Sequence, residues 1–300
     1  SWAENVLRTI EARSGLLTAP QAQERVFRFP HRSYQEFLAG TYLAGQRENR
    51  FLRYATALVD DSRYWWEVLR WAAGVQIHVK ENLYTTLELV ARLAAPAQAA
   101  GAPPLAWRKL LLAGEILAEM KPGTLRTETL GREQLKKFQT GLVQLLELQA
   151  LPVKERAQAG MVLGKLGDPR EGVGLRADGL PDIAFEPSEP QAPLPKETFK
   201  LAEHDTEFAI PHPYRLSRYP VTVAQFQAFI AAEGYEDDRS DKATGRLLPW
   251  WGKAGLEWKR QHNISGPEDL EPVFQTPNHP RVGVRWHEAS AFCAWLTERL

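Results

Sequence analysis

One cysteine and two methionines stand among 300 residues. A lone cysteine excludes a disulfide within the chain, a Cys-x-x-Cys zinc site and a two-cysteine redox centre. Charge of one sign is not in excess: Lys and Arg total 37, as do Asp and Glu. No global field therefore draws the chain to nucleic acid or to an acidic membrane. No apolar run approaches the length of a membrane span, and the first residues do not read as a signal peptide. These absences together predict a cytoplasmic chain with neither nucleic acid nor membrane as partner. A repeat of 34 or 40 residues is missing too.

What is present is ordinary globular material, 44% hydrophobic and 25% charged, long enough for two or three domains. The first 170 residues read mostly as helix. Ser33-Tyr-Gln-Glu36 has the form of a capping box. Tyr34, Phe37, Leu38, Thr41 and Tyr42 then recur at helical spacing, which predicts one buried stripe. Further helices are expected around 65–73, 84–93, 105–119 and 134–148, with a Pro/Ala/Gly break over 94–104. A helix over 154–166 places Ala159, Val162, Leu163 and Leu166 on one side, and Gly167-Asp168-Pro169 stops it. Residues 170–195 are rich in Gly and Pro and lack helical period. Short strands are expected at 198–201 and 214–218, with Pro211 and Pro213 between them. Thr222 and Gln225 form a second capping box, opening a helix that buries Phe226, Phe229 and Ile230 and ends near Gly234. An irregular stretch, roughly 235–280, carries Trp250, Trp251 and Trp258. A last helix begins near His287, with Ala289, Phe292, Cys293 and Leu296 on one face.

Several look-alikes of catalytic motifs fail on their own terms. Gly160-Met-Val-Leu-Gly164-Lys165 is one residue short of a P-loop, lacks its Ser/Thr and lies within a helical pattern. Gly172-x-Gly174-x-x-Ala177 follows a helix where a dinucleotide fingerprint follows a strand. His287-Glu288 begins like a zinc-protease motif, but position 291 is alanine. The sequon Asn263-Ile264-Ser265 has no role in a cytoplasmic protein. Glu236, Asp237, Asp238 and Asp241 lack the ligand alternation of a calcium loop and read as a solvated turn. Cys293 falls on the apolar side of its helix and reads as a buried, unreactive thiol. No metal or other cofactor is assigned.

Arg218-Tyr-Pro-Val-Thr-Val-Ala-Gln-Phe-Gln-Ala-Phe229 and Gly234-Tyr235 resemble the signature of the formylglycine-generating-enzyme, or sulfatase-modifying-factor, family. Trp250-Trp251, Asn278-His-Pro-Arg-Val-Gly-Val-Arg-Trp286 and Glu288-Ala289 to Phe292-Cys293-x-Trp295-Leu296 match its next blocks in order. Val223 departs from the family, which has asparagine there. The resemblance implies a C-type-lectin-like fold over 199–300, incomplete at its C-terminal side. In the family's enzymes a copper-binding cysteine pair and calcium ligands lie in the later half, so no catalytic residue is carried over. Phe27-Arg-Phe-Pro-His31-Arg-Ser-Tyr-Gln-Glu-Phe-Leu-Ala39 resembles a helix start in NACHT-type signalling ATPases (the STAND class). That resemblance implies a nucleotide-sensing role for His31; a histidine merely packed at a helix entry is the alternative.

The expected architecture is therefore α+β: an all-α, winged-helix-like region, then a mixed α+β lectin-type fold. The expected divisions are a winged-helix-like tail over 1–75, a helical region over 76–170, a linker over 171–198 and the lectin-type half over 199–300. The combination resembles NACHT-linked variable proteins of diversity-generating retroelements. It implies a non-catalytic sensor that binds a protein or other ligand through lectin-fold loops, with a NACHT nucleotide-binding domain as partner in cis. Trp250, Trp251 and Trp258 are then the ligand-binding loop, or else the pins that hold it to the core. Two other functions stand beside the sensor: an oxidase converting a sulfatase cysteine to formylglycine, and a structural helical adaptor.

Overall fold

The computed structural model describes residues 2–14, 17, 28–94, 101–120, 122–127, 129–186, 198–200, 207–209, 215–236 and 250–300. Two compact units emerge, Ser1–Val162 and Leu163–Leu300. The first is helical and the second mixes helices with short strands, an α+β architecture.

Unit 1 contains α1 (Trp2–Ser14), α2 (Arg32–Ala44), α3 (Glu48–Asp61), α4 (Trp66–His78), α5 (Leu83–Ala94), α6 (Pro104–Ala118), α7 (Pro122–Thr127) and α8 (Thr129–Glu147), and α9 (Val153–Leu166) crosses the division. Its core includes Phe51, Leu69, Leu89, Leu112, Ile116, Phe138 and Leu142, all fully buried. The helices expected from periodicity at 65–73, 84–93, 105–119, 134–148 and 154–166 are α4, α5, α6, α8 and α9. Among the described residues, unit 1 has no strand element to form a wing; residues 18–27, where one would fall, lie outside the described set.

The start of α2 departs from expectation. The helix begins at Arg32, with His31 as N-cap and no side-chain cap bond. Glu36 instead accepts a hydrogen bond from Arg32 Nε at 2.6 Å. A charge-assisted pair one turn apart outcompetes the reach back to the Ser33 N–H. The stripe Tyr34, Phe37, Leu38 and Tyr42 is exposed, and the buried face is Glu36, Gly40, Leu43 and Ala44. Gly40 explains the choice: a Cβ there would stand 2.6 Å from Trp71 Cβ and 2.9 Å from the Val68 carbonyl. A bare glycine lets α2 lie close on α4, and Gln76 fixes the contact by donating to the Ala44 carbonyl at 3.0 Å.

In unit 2, residues 171–186 of the expected linker form turns and a short strand. Gly172, at φ +85°, donates its N–H to Asp182 Oδ2 at 2.7 Å, and a Cβ there would meet Ala184 Cβ at 2.6 Å. β1 (Phe185–Glu186) pairs antiparallel with β4 (Leu216–Ser217), and β2 (Thr198–Lys200) with β3 (Glu207–Ala209). Gly172 and Gly179, both at positive φ, make the tight turns here. Leu201, Pro211, Pro213 and Tyr214 lie outside the described residues. Then follow α10 (Val223–Ala231), α11 (Gly252–His262) and α12 (Trp286–Arg299). The stretch expected to be irregular thus holds an 11-residue helix, α11. Asn263 closes it in the left-handed conformation at φ 52°, a backbone role that explains the asparagine of the sequon.

Candidate functional site

The aromatic heart of unit 2 is built from α10, α12 and the turn into α11. Phe226, Phe229, Tyr235, Trp250, Trp251, Phe292 and Trp295 are buried together with Ala291 and Leu296. Phe226 stacks on Phe292 with ring centroids 5.5 Å apart, and Phe229 meets Trp295 at 5.6 Å. Gly234 is required by this packing, since a Cβ would lie 2.3 Å from the Phe229 ring.

Polar latches hold the aromatics in register. The Thr222–Gln225 capping box forms as expected. Thr222 Oγ1 also donates to the Val173 carbonyl at 2.8 Å, and Gln225 Nε2 donates to the carbonyls of Gly172 and Asp182. Helix starts leave their first N–H groups orphaned; here Val223 and Ala224 donate theirs to the carbonyls of His279 and Pro277 at 2.8 and 2.9 Å. Asn278, between those two, donates through Nδ2 to Asp168 Oδ2 at 2.8 Å. Burial pushes the Asp168 carboxyl up, but hydrogen bonds from Arg170 and Asn278 outweigh it and hold the group below its ordinary range.

A second latch lies beneath α12. Tyr235 donates its hydroxyl to Glu288 Oε1 at 2.6 Å, and the Arg285 N–H donates to Glu288 Oε2 at 2.8 Å. Burial, followed by the neighbouring Glu288 carboxylate, raises the Tyr235 phenol well above its ordinary value. Trp251 Nε1 donates to the Gly234 carbonyl at 2.8 Å, Trp250 Nε1 to Glu298 at 2.6 Å, and buried Lys259 Nζ to the Tyr235 carbonyl. A groove of about 1150 Å³ is lined by Leu180, Ala224, Ala228, Glu268, Asp269 and Arg281, among others.

The structure places the expected site residues as follows. Trp250 and Trp251 are buried in the aromatic core, and Trp258 is half-buried, 6.4 Å from Trp251 and 5.2 Å from the His287 ring. His31, in unit 1, is exposed at the head of α2, with its ring 6.4 Å from Tyr34. Cys293 is exposed, contrary to its expected burial. The buried face of α12 is Glu288, Ala291, Phe292, Trp295 and Leu296, which turns Ala289 and Cys293 to solvent. Glu236 is exposed, and Asp237, Asp238 and Asp241 fall outside the described residues. Among the described residues no group of three or more His, Cys, Asp and Glu is placed to hold a metal. No described helix is long and apolar enough to cross a membrane. Sequence reasoning missed the Tyr235–Glu288 and Asp168–Asn278 latches, because each joins segments far apart in the chain.

Residues 184–300 match the model of the sulfatase-modifying factor enzyme 1-like domain. The formylglycine-generating enzyme of Thermomonospora curvata is 29% identical over 138 residues, covering 36% of this chain and 44% of that enzyme. The enzyme of the same name from Streptomyces coelicolor is 26% identical over 107 residues, covering 29% and 32%. Hercynine oxygenase of Mycolicibacterium thermoresistibile is 29% identical over 97 residues, covering 29% and 20%. No solved structure matches the chain. This part of the chain is therefore homologous to the formylglycine-generating-enzyme family, and it spans less than half the length of these relatives. The single cysteine of the chain cannot by itself form a two-cysteine site.

Proposed function

We propose that residues 184–300 are the scaffold of a formylglycine-generating-enzyme-type domain with a C-type-lectin-like fold. The protein that carries them converts a sulfatase cysteine to formylglycine. One observation carries the reading: the blocks that resemble the family are the residues that build the aromatic core and its latches. Thr222, Gln225, Phe226, Phe229, Gly234, Tyr235, Trp250, Trp251, Asn278, Glu288, Phe292 and Trp295 all pack or hydrogen-bond within unit 2. The relatives that match the chain include two bacterial formylglycine-generating enzymes.

The donor set of this chain does not fit the copper centre of such enzymes. Its one thiol, Cys293, is solvent-exposed on the outer side of α12, and no carboxylate cluster for calcium stands among the described residues. No step is routed through either ion. The chemistry is a two-electron oxidation in which the substrate's Cβ–S bond is replaced by a carbonyl. Water supplies the carbonyl oxygen and sulfur leaves as hydrogen sulfide; dioxygen takes the two electrons released, together with two from an external thiol reductant, and leaves as water. The test is incubation of the whole protein, under air, with a sulfatase-derived peptide bearing its cysteine. Aldehyde trapped by a hydrazine reagent supports the oxidase, and its absence, with copper and reductant supplied, overturns it.

A second reading is a ligand-recognition sensor on a signalling protein of NACHT type. It is favoured by a helical unit outside the family match whose α2 displays Tyr34, Phe37, Leu38 and Tyr42 to solvent, a composition that suits protein interfaces. The NACHT link and a nucleotide-sensing His31 rest on residues 27–39. In the whole protein, His31→Ala should weaken retention of ADP; unchanged affinity removes that role.

A further inference from the structure

Two hydrogen-bond donors that line the groove of unit 2 have no acceptor among the described residues. The groove holds about 1150 Å³ between α10, α12, residues 175–180 and the loop 267–281. Trp295 of α12 lines it and is 1% exposed, yet its indole Nε1–H has no hydrogen-bond partner among the described residues. The neighbouring core indoles are satisfied: Trp250 donates to Glu298 and Trp251 to the Gly234 carbonyl. Arg281 lines the same groove. Its Nη2 donates to the Glu268 carbonyl at 2.8 Å, while its buried Nε–H has no partner among the described residues. Folded proteins rarely leave a buried N–H unpaired, and two in the lining of one groove call for a shared cause.

Indole and guanidinium donate but cannot accept, so whatever fills the groove must bring acceptors. The lining also holds Glu268 and Asp269, both exposed, whose ionised carboxylates only accept. Leu180, Ala224 and Ala228 give it apolar surface. A free organic carboxylate would satisfy the two donors but set its charge beside Glu268 and Asp269. An extended peptide suits every part of the lining. Its carbonyls meet the donors, its N–H groups and a basic side chain meet the carboxylates, and its apolar side chains meet the rest.

We infer that this groove binds an extended peptide bearing apolar side chains and a Lys or Arg, with its carbonyls accepting from Trp295 Nε1 and Arg281 Nε. Such binding requires no turnover and stands apart from the oxidation of a sulfatase cysteine.

The test titrates the isotope-labelled full chain with a cysteine-free peptide, acetyl-Val-Lys-Val-Ala-Val-amide, and follows the Trp295 indole N–H by NMR. That resonance should move downfield and saturate as the peptide is added. Asp269→Lys changes an exposed side chain and should weaken binding about threefold or more. Trp295→Phe removes one donor and should weaken it about fivefold. A Trp295 indole unmoved at millimolar peptide, or an affinity unchanged by Asp269→Lys, overturns the inference. So does a shift produced by sodium octanoate and not by the peptide, which makes the occupant a carboxylate instead.

Discussion

Gln225 offers a sharp test of how unit 2 is held together. Its side chain is fully buried and satisfies three backbone groups at once. Oε1 accepts from the Thr222 N–H at 2.9 Å, and Nε2 donates to the carbonyls of Gly172 and Asp182. Gln225→Ala leaves all three without a partner, and a buried polar group left unpaired costs about 1–3 kcal/mol. Water entering the vacated space recovers part of this, so the expected loss is about 3–5 kcal/mol. Gln225→Glu separates electrostatics from volume. Its carboxylate still accepts from Thr222, but the second oxygen then faces two carbonyls and repels both. Only the protonated acid can donate, so burial and the carbonyls raise its folded pKa above the ordinary value of about 4.3. A raised folded pKa means that this variant is closest to wild type below the unfolded pKa and loses stability as pH rises through the folded one. The assay is urea unfolding of the full chain, with amide exchange in α10 reporting unit 2 alone, at about pH 4.5 and pH 7.5. A loss below about 1 kcal/mol for the alanine variant would refute the reasoning. So would a glutamate variant whose deficit is the same at both pH values.

Other consequences follow from single contacts. Gly40→Ala places a methyl 2.6 Å from Trp71 Cβ and should destabilise unit 1 by about 2 kcal/mol, checked by thermal unfolding; an unchanged midpoint counts against the close α2–α4 approach. Tyr235→Phe removes the hydroxyl that donates to Glu288 and should cost about 1.5–3 kcal/mol, read from the unit 2 transition in urea. In the wild type, the raised Tyr235 phenol should stay protonated above about pH 10, where a free tyrosine ionises. Its stabilisation is present below that pH and lost only as pH climbs through the folded value, and ultraviolet difference absorbance counts the tyrosines that lag. Cys293, being exposed, should react with a thiol reagent in the native protein as fast as in urea; protection in the native state would restore the buried reading.

How much of this fold was legible depended on whether a segment offered one answer or two. At α10 the Thr222–Gln225 pair and the spacing of Phe226 and Phe229 admit one start and one buried side, and the structure agrees. At α12 two stripes compete: 289, 292, 293 and 296 fit helical spacing as well as 288, 291, 292, 295 and 296. The second wins because it buries Trp295, the larger apolar body, and because Glu288 enters the core already paired with Tyr235 and the Arg285 N–H. At α2 the stripe richer in apolar atoms loses to Glu36, Gly40, Leu43 and Ala44. Glu36 is neutralised within its own helix by Arg32, and Gly40 gives a backbone contact that no larger residue allows. Both reversals share one cause. Counting hydrophobic residues scores a paired glutamate as polar and a glycine as empty. Packing rewards the first for its satisfied charge and the second for the closeness it permits. The stripe that counting favours on α2 is then left facing outward.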